Sequence, residues 1–137
     1  MPVDQSLVGR TFPPTPPYDV TENALAAFAA ATGTTYAAGG PAPATFPIVV
    51  AFGAMTALMT DAEVGIELHH VVHGEQRFAH ERPVVAGDRL AAELTVESLR
   101  QIGGADIIAT SSAITDASGA LVCTARATLV HQPGAGA

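Results

Sequence analysis

The segment that decides the fold is residues 46–59, FPIVVAFGAMTALM, which contains no charged side chain and a single hydroxyl, that of Thr56. As a helix, about fourteen residues would span roughly 21 Å. A helix that is apolar on every side must be covered by other structure. We therefore expect residues 46–59 to form a nearly fully buried helix that the rest of the chain surrounds.

Four runs after this segment have the composition of β-strands: residues 69–83, 89–101, 105–116 and 120–132. Two of them alternate with a period of two, which indicates one buried face. The alternating positions are Leu90, Ala92, Leu94 and Val96, and then Leu121, Cys123, Ala125, Ala127 and Leu129. Gly103-Gly104 and residues 116–119, DASG, have the composition of hairpin turns. One apolar helix inside a curved antiparallel sheet is a hot-dog architecture of the α+β class, and this is the fold that we predict.

An arm, a short helix and a loop are predicted before the central helix. Residues 8–20 contain four prolines, which favour an extended arm. Thr21 is a suitable N-cap and Gly33 a suitable stop for a helix between them. Glycine and proline in residues 34–45 indicate a loop. With 137 residues we expect a single domain over residues 1–132, followed by a disordered tail at residues 133–137.

The composition argues against several kinds of partner. The formal net charge is −7, which works against binding to nucleic acid or to an anionic membrane. The first residues, MPVDQSLVGR, have neither the basic start nor the apolar run of an export signal, so we expect a cytoplasmic protein.

Only 14% of the residues are charged, which favours an oligomer. Cys123 is the single cysteine, and we expect it in the core.

Three histidines raise the question of a metal site. On a helix, His69 and His73 would share a face, with His70 beside them. The valines at 71 and 72 and Gly74 favour a strand instead, along which four residues span about 13 Å. That separation is too long for one ion, so we predict no metal site.

Two stretches resemble the MaoC-like hydratase/dehydratase hot dogs. Residues 41–53, PAPATFPIVVAFG, are similar to the loop and the start of the central helix in that family. Residues 73–90, HGEQRFAHERPVVAGDRL, are similar to the segment after this helix in its amino-terminal, non-catalytic halves. The similarity is closest to the A subunits of actinobacterial (3R)-hydroxyacyl-ACP dehydratases. It implies no cofactor, and it implies that two hot dogs pair, one supplying the chemistry while the other helps to hold the acyl chain.

The acid and base of the catalytic halves are missing from this sequence. Those halves carry Asp and His in a Gly-Asp-x-Asn-Pro-x-His motif after the first helix, whereas residues 33–40 here read GTTYAAGG. From residue 23 to residue 60 there is no Asp, Glu, His, Lys, Arg or Cys. Backbone amides near residues 45–48 could still polarise a thioester carbonyl, although Pro47 has none. The resemblance therefore implies a subunit of a (3R)-hydroxyacyl-thioester dehydratase or enoyl-thioester hydratase of fatty-acid metabolism, without catalytic residues of its own and dependent on a catalytic MaoC-like partner.

Residues 73–78, HGEQRF, admit a structural and a functional interpretation. Strict alternation gives one face with Val72, Gly74, Gln76 and Phe78 and another with His73, Glu75 and Arg77. In the structural interpretation the first face packs on the central helix and the second is solvated or meets another subunit. In the functional one, Gly74 lets an acyl thioester pass close to the strand while Gln76 or His73 bonds to it. An independent acid/base role for His73 with Glu75 is the weakest version.

Two further groups of residues have both a structural and a functional reading. Phe46, Phe52 and Phe78 are typical of a core, but an acyl tunnel beside the central helix would use the same side chains. Arg77, Arg82 and Arg89 form a local basic patch that is either solvated or a docking site for an acyl carrier protein or a CoA phosphate.

Other functions and assemblies stay open at this point. The chain could be a non-enzymatic hot dog that binds acyl-ACP or acyl-CoA thioesters or acts as a scaffold. An acyl-CoA thioesterase is a third alternative, but hot-dog thioesterases commonly take a carboxylate from the central helix, which has none here. We expect either a homodimer or a heterodimer with a catalytic subunit.

Overall fold

The computed structural model describes residues 3–132, which form two α-helices, two short 3-10 helices at Gln5–Leu7 and Leu68–His70, and one five-stranded antiparallel sheet. The sheet order is β1-β3-β4-β5-β2. The helices are α1, Glu22–Thr32, and α2, Ile48–Thr60, and the strands are β1, Tyr18–Asp19, β2, Val71–His80, β3, Arg89–Ile102, β4, Ala105–Thr115, and β5, Leu121–His131. This is the predicted hot-dog architecture. The predicted tail at residues 133–137 lies outside the described residues.

Helix α1 has the predicted ends. The hydroxyl Oγ1 of Thr21 accepts a hydrogen bond from the amide of Ala24 at 3.1 Å, which satisfies one of the free amides of the first turn. Gly33 closes the helix with a φ of 74°, a left-handed conformation that suits glycine.

Strands β3, β4 and β5 are joined by the two predicted hairpin turns and pair as an antiparallel meander. Gly103 and Gly104 form the first hairpin with φ values of 59° and 83°. Leu90, Leu94 and Val96 are fully buried on the inner face. The prediction for Leu121 is wrong: it is 42% exposed, because the register between β4 and β5 shifts after Ile114 and buries Val122 in its place.

Helix α2 packs against the inner face of the sheet but is covered on only one side. Val50, Ala54 and Leu58 are buried, whereas Phe52 is 51% exposed. Gly53, Thr56, Ala57 and Thr60 are exposed beside it. The expectation of a nearly fully buried helix is therefore wrong for this side, because a single sheet covers only one face of a helix. No helix within residues 3–132 is long and apolar enough to cross a membrane.

One edge of the sheet is covered by another segment of the described chain, and the other edge is not. The predicted N-terminal arm runs along the edge of β3, where the amides of Gly9, Phe12 and Thr15 donate to the carbonyls of alternate β3 residues. β2 is the last strand at the opposite edge, and no described element pairs with its outer side. An uncovered edge of ten residues is a ready template for pairing with another chain.

A buried acid–histidine pair ties five parts of the chain together. The side chains of Asp106 and His131 are 1% and 0% exposed, and the histidine Nδ1 lies 3.0 Å from the carboxylate. Asp106 also accepts hydrogen bonds from the amide of Val3 and from the side chain of Gln101. The other ring nitrogen of His131 accepts from the amide of Glu67 at 3.0 Å. The pair therefore fixes the N-terminal segment and the approach to β2.

Replacing Asp106→Ala should lower the free energy of unfolding by about 3 kcal/mol, because the buried donors of Val3 and His131 and the side chain of Gln101 lose their acceptor. Chemical denaturation monitored by circular dichroism measures this change. Glu93→Ala, an exposed carboxylate on β3, is the matched control and should change stability by less than about 0.5 kcal/mol. Equal stability of the two variants would contradict a structural role for the pair.

Candidate functional site

A β-bulge at Gly74 decides which side chains of β2 face the helix. His73 pairs with Leu129 of β5, and Glu75 pairs with Thr128, so the register shifts by one residue between them. Directly paired residues share a face of the sheet. Because Leu129 is buried on the inner face, His73 lies on that face too.

The bulge overturns the strict alternation expected for this strand. The inner face of β2 carries Val71, His73, Gln76, Phe78 and His80, and the outer face carries Val72, Glu75, Arg77 and Ala79. Val72 is 64% exposed, so the prediction that it packs on the central helix is wrong. Phe78 packs against the core as predicted. His73 and Glu75 lie on opposite faces, which contradicts their joint acid/base role; Glu75 instead pairs with Arg77 at 3.2 Å.

His73 and Gln76 form a hydrogen-bonded pair on the inner face. The histidine Nε2 lies 3.0 Å from the amide oxygen of Gln76. The amide nitrogen of Gln76 donates to the carbonyl of Arg77 at 3.3 Å, which orients the side chain so that its oxygen faces the histidine. Because an amide oxygen only accepts, Nε2 of His73 donates this hydrogen bond.

An apolar cavity adjoins this pair. The β2 cavity has a volume of about 170 Å³. Its lining residues come from α2, β2, β5 and the turn before β2: Phe52, Met55, Met59, Leu68, Val71, His73 and Leu129. Phe52 and Leu68 are both about half exposed, so the cavity is bordered by apolar surface that no described residue covers.

A second cavity lies at the other end of β2 and involves a histidine that the sequence reasoning missed. The loop cavity has a volume of about 370 Å³ and is lined by Pro41, Ala42, Ala44, His80, Glu81, Arg82, Pro83 and Val84. The Nε2 atom of His80 donates to the carbonyl of Ala44 at 2.8 Å, which ties the end of β2 to the approach of α2. The sequence does contain a signal for His80. Gln76, Phe78 and His80 occupy every second position, so on a strand their side chains share one face.

The loop between the helices contains no acid or base suited to proton transfer. Its Tyr36 hydroxyl donates to Glu22 at 2.5 Å, and this bond raises the pKa of Tyr36, which keeps the phenol protonated at neutral pH. Glu22 also accepts from the amide of Gly39. Glu22 thereby holds the loop against α1.

The start of α2 offers little of the expected oxyanion stabilisation. The amides of Phe46 and Ile48 donate to the carbonyls of Pro43 and Thr45. Pro47 has no amide hydrogen. Among residues 45–48, only the amide of Thr45 has no acceptor within the described chain.

Comparison with known proteins assigns this chain to a family. A family model described as FAS1-like, dehydratase domain region, matches residues 6–125. The chain belongs to this dehydratase family. It is 43% identical over 143 residues to a UPF0336 protein of Leifsonia xyli subsp. xyli, covering 95% of this chain and 96% of that protein.

Two solved structures resemble this dehydratase-family chain closely. The C-terminally truncated HadBC (3R-hydroxyacyl-ACP dehydratase) complex of Mycobacterium tuberculosis contains a chain with a TM-score of 0.75 and 28% identity, with 90% of this chain and 96% of that chain covered. A MaoC-like dehydratase gives a TM-score of 0.78 and 26% identity, with 95% of this chain but only 43% of that chain covered. The resemblance to MaoC-like hot dogs is thereby confirmed.

The remaining candidate residues are not brought together by the fold of this dehydratase-family chain. Phe46 is 1% exposed and packs against the ring of Phe28 at 5.3 Å, so it belongs to the core. A side chain at Gly74 would meet the carbonyl of Thr128 at 3.5 Å and Val130 at 3.6 Å, so this position points towards β5. No group of three or more potential metal ligands occurs within residues 3–132.

The three arginines do not form one patch. β2, which carries Arg77, and β3, which carries Arg89, are separated in the sheet by β4 and β5. Each arginine has a carboxylate partner: Arg77 has Glu75, Arg82 has Asp88 and Asp116, and Arg89 has Asp19. Sequence proximity suggested a patch because it does not show which carboxylates the fold places beside each arginine. Carrier docking by these residues stays a prediction.

Arg82 joins the turn before β3 to the turn before β5. Its guanidinium binds Asp88 through two nitrogens at 2.9 and 3.0 Å and Asp116 at 3.2 Å. Hydrogen bonds from Ser118 and then from Arg82 hold the pKa of Asp116 down to about 2 from its ordinary 3.8. Because the pKa of Asp116 is lower in the folded state, its ionised carboxylate stabilises the fold at pH values above the pKa that it has in the unfolded chain. This stabilisation is lost as the pH falls through the pKa of the folded state.

Replacing Arg82→Ala should therefore move the midpoint of acid unfolding to a higher pH, because Asp116 then takes up its proton sooner. Circular dichroism between pH 5 and pH 1.5 measures the midpoint. Arg100→Ala, an exposed arginine on β3, should leave it unchanged. Identical acid transitions in the two variants would show that Arg82 does not link the turns.

Proposed function

We propose that this chain is the acyl-binding subunit of a (3R)-hydroxyacyl-thioester dehydratase or enoyl-thioester hydratase, and that a catalytic MaoC-like subunit completes the enzyme. The observation that carries the proposal is the β2 cavity, an apolar site with one polar side chain, that of His73, in its wall. Membership of the dehydratase family and likeness to the HadBC complex support the reaction class.

The cavity suits an acyl chain and not a strongly polar ligand. Phe52, Met55 and Met59 present apolar surface from α2, and Met side chains adapt to irregular shapes. Ligand sites of this kind combine apolar walls with a few placed polar groups. His73 supplies such a group.

Between the start of α1 and the end of α2 the chain supplies no free group suited to proton transfer. Removal of the α-proton and protonation of the departing hydroxyl each need a group of suitable pKa. The pKa of Tyr36 is raised, and Glu22 is occupied by Tyr36 and Gly39. We infer that the acid and base come from the partner.

The open edge of β2 is the surface at which we place this partner. Val72, Phe52 and Leu68 are 64%, 51% and 53% exposed, although all three are apolar. A second hot dog joined along β2 would pair the free strand edge and cover the border of the β2 cavity. The length of the related MaoC-like dehydratase, of which this chain covers 43%, is consistent with two such units in one protein.

A non-enzymatic acyl-thioester-binding hot dog is the second candidate, favoured by the same lack of acid and base. A thioesterase finds less support. The hydroxyls of Thr56 and Thr60, the polar side chains of α2, donate to carbonyls of their own helix at 2.8 and 2.7 Å. The presence or absence of turnover with a partner separates the first two functions.

In an enoyl-CoA hydration assay the isolated chain should show no turnover. Co-purification with a MaoC-like subunit that carries the Gly-Asp-x-Asn-Pro-x-His motif should raise the rate by at least about 100-fold, which is the order of magnitude that one acid/base group contributes. A partner variant without the motif Asp and His is the control. Robust turnover by the isolated chain, abolished by His73→Ala or Glu75→Ala with the fold intact, would contradict the proposal.

Sedimentation at micromolar concentration should show an assembly larger than the 13.9 kDa chain. Val72→Asp should shift the equilibrium towards the monomer, because it places a charge beside the free edge. Ile102→Asp, at the hairpin between β3 and β4, replaces another apolar residue that is 51% exposed and should have no effect. A wild-type monomer, or equal effects of the two changes, would exclude the β2 edge as the interface.

A further inference from the structure

We propose that the buried pair of Asp106 and His131 is a pH-sensitive switch, in which uptake of a second proton by His131 releases the strap of residues 67–70 that precedes β2. The strap contains the 3-10 turn Leu68–His70. Leu68 forms part of the wall of the β2 cavity. The switch therefore acts on the access to this cavity, whatever ligand the cavity takes.

The hydrogen bonds of His131 fix the position of its proton. Its Nε2 atom accepts a hydrogen bond from the amide of Glu67 at 3.0 Å, so Nε2 carries no proton. The proton of the ring is therefore on Nδ1, which donates to the carboxylate of Asp106 at 3.0 Å. This arrangement requires the neutral form of the ring.

A second proton on His131 is incompatible with the bond to Glu67. Nε2 is the remaining nitrogen, and once protonated it would point a donor at the amide of Glu67, which is also a donor. The side chain of His131 is 0% exposed, so water does not reach the ring while the strap is in place. An unpaired buried donor is costly, and the strap has to move away from the ring.

Asp106 makes the uptake of this proton possible. Burial alone keeps a histidine neutral, whereas a carboxylate at hydrogen-bond distance favours the charged ring. Asp106 also accepts from the amide of Val3 and the side chain of Gln101, an arrangement that suits a carboxylate. The two partners of His131 thus act in opposite directions, since Asp106 favours the second proton and the amide of Glu67 opposes it.

The strap is held differently at its two ends. The carbonyl of His70 accepts from the amide of Gln132 at 3.1 Å, a bond that does not depend on the charge of His131. The end at Glu67 is bonded to the ring itself. Protonation of the ring should therefore swing out the Glu67 end, and Leu68, the next residue, should leave the cavity wall with it.

The other polar and titratable groups near the ring do not replace Asp106. In the strap, the carboxylate of Glu67 pairs with Nδ1 of His70 at 3.1 Å, and protonation of His70 would strengthen this pair without tying the strap to β5. On β2 the residue in register with His131 is Val71, and β3 contributes Gln101, so both neighbours are uncharged.

Charged groups of the N-terminal segment and the end of α2 have partners of their own. The carboxylate of Asp4 accepts from the amide of Ser6. Asp61 and Glu63 pair with Arg10. Among the residues that the structure describes, Asp106 is therefore the charged side chain bonded to the ring of His131.

The test is an NMR titration of the full chain from pH 7.5 to pH 4.5, a range that includes the pH of about 6.5 at which an imidazole in water changes its charge. The ¹⁵N shifts of the His131 ring report the second proton, and hydrogen exchange gives the protection factor of the Glu67 amide. This protection should fall as the ring becomes protonated, by about ten-fold for each pH unit through the transition, because one proton is taken up per opening. The amide of Ile108, in the middle of β4, should stay protected.

Two variants separate the switch from other titrations. Asp106→Asn removes the charge that favours the protonated ring, so it should move the protonation of His131 and the loss of Glu67 protection together to lower pH, by at least about one pH unit. His70→Gln removes the titrating ring of the strap and should leave the transition in place.

Three results of the wild-type titration would overturn the proposal: a His131 ring that is still neutral at pH 4.5, protonation of this ring without loss of Glu67 protection, or loss of the Ile108 protection at the same pH. A transition that disappears in His70→Gln would assign it to the pair of Glu67 and His70 instead. The wild-type titration decides the proposal by itself if Asp106→Asn does not fold.

Discussion

The packing of an apolar helix against one curved sheet is the constraint on which the rest of this structure depends. Helix α2 has no polar face, and the sheet buries only the side that contains Val50, Ala54 and Leu58. The uncovered side keeps Phe52 in solvent. The N-terminal arm pairs with β3 at the opposite edge of the sheet and therefore does not cover β2. The exposed side of α2 and the unpaired edge of β2 are both left uncovered. An apolar surface next to an unpaired strand is characteristic of a protein that is completed by a second subunit.

One inserted residue determines the chemistry of the site. Without the bulge at Gly74, His73 would share the outer face with Glu75 and Arg77, and the cavity would have no histidine. With the bulge, His73 and Gln76 meet on the inner face although they are three residues apart. Bulges re-aim side chains in this way near functional sites. The salt bridge between Glu75 and Arg77 stays on the solvent side of the strand.

The features that could be predicted from the sequence are those with a local cause. The caps of α1, the glycine hairpin at 103–104 and the alternation of Leu90 to Val96 depend on neighbouring residues and were predicted with the right elements. The register shifts that expose Leu121 and turn His73 inward depend on pairing with another strand, so periodicity alone misplaced both residues. The pair of Asp106 and His131 was missed because the chain brings the two together across a hairpin.

The arginines illustrate the same limit at the level of function. Arg82 and Arg89 are neighbours of Asp88 in sequence, but the fold adds Asp116 to one and Asp19 to the other. The positive charges of Arg82 and Arg89 are therefore paired with carboxylates of the same chain. Arg77, Arg82 and Arg89 are paired with carboxylates, and Glu22 of α1 is bound to Tyr36, so these groups have little chemistry to offer a reacting thioester. What the site presents instead is an apolar lining with one histidine in its wall, which fits the proposed division of roles between this chain and a second subunit.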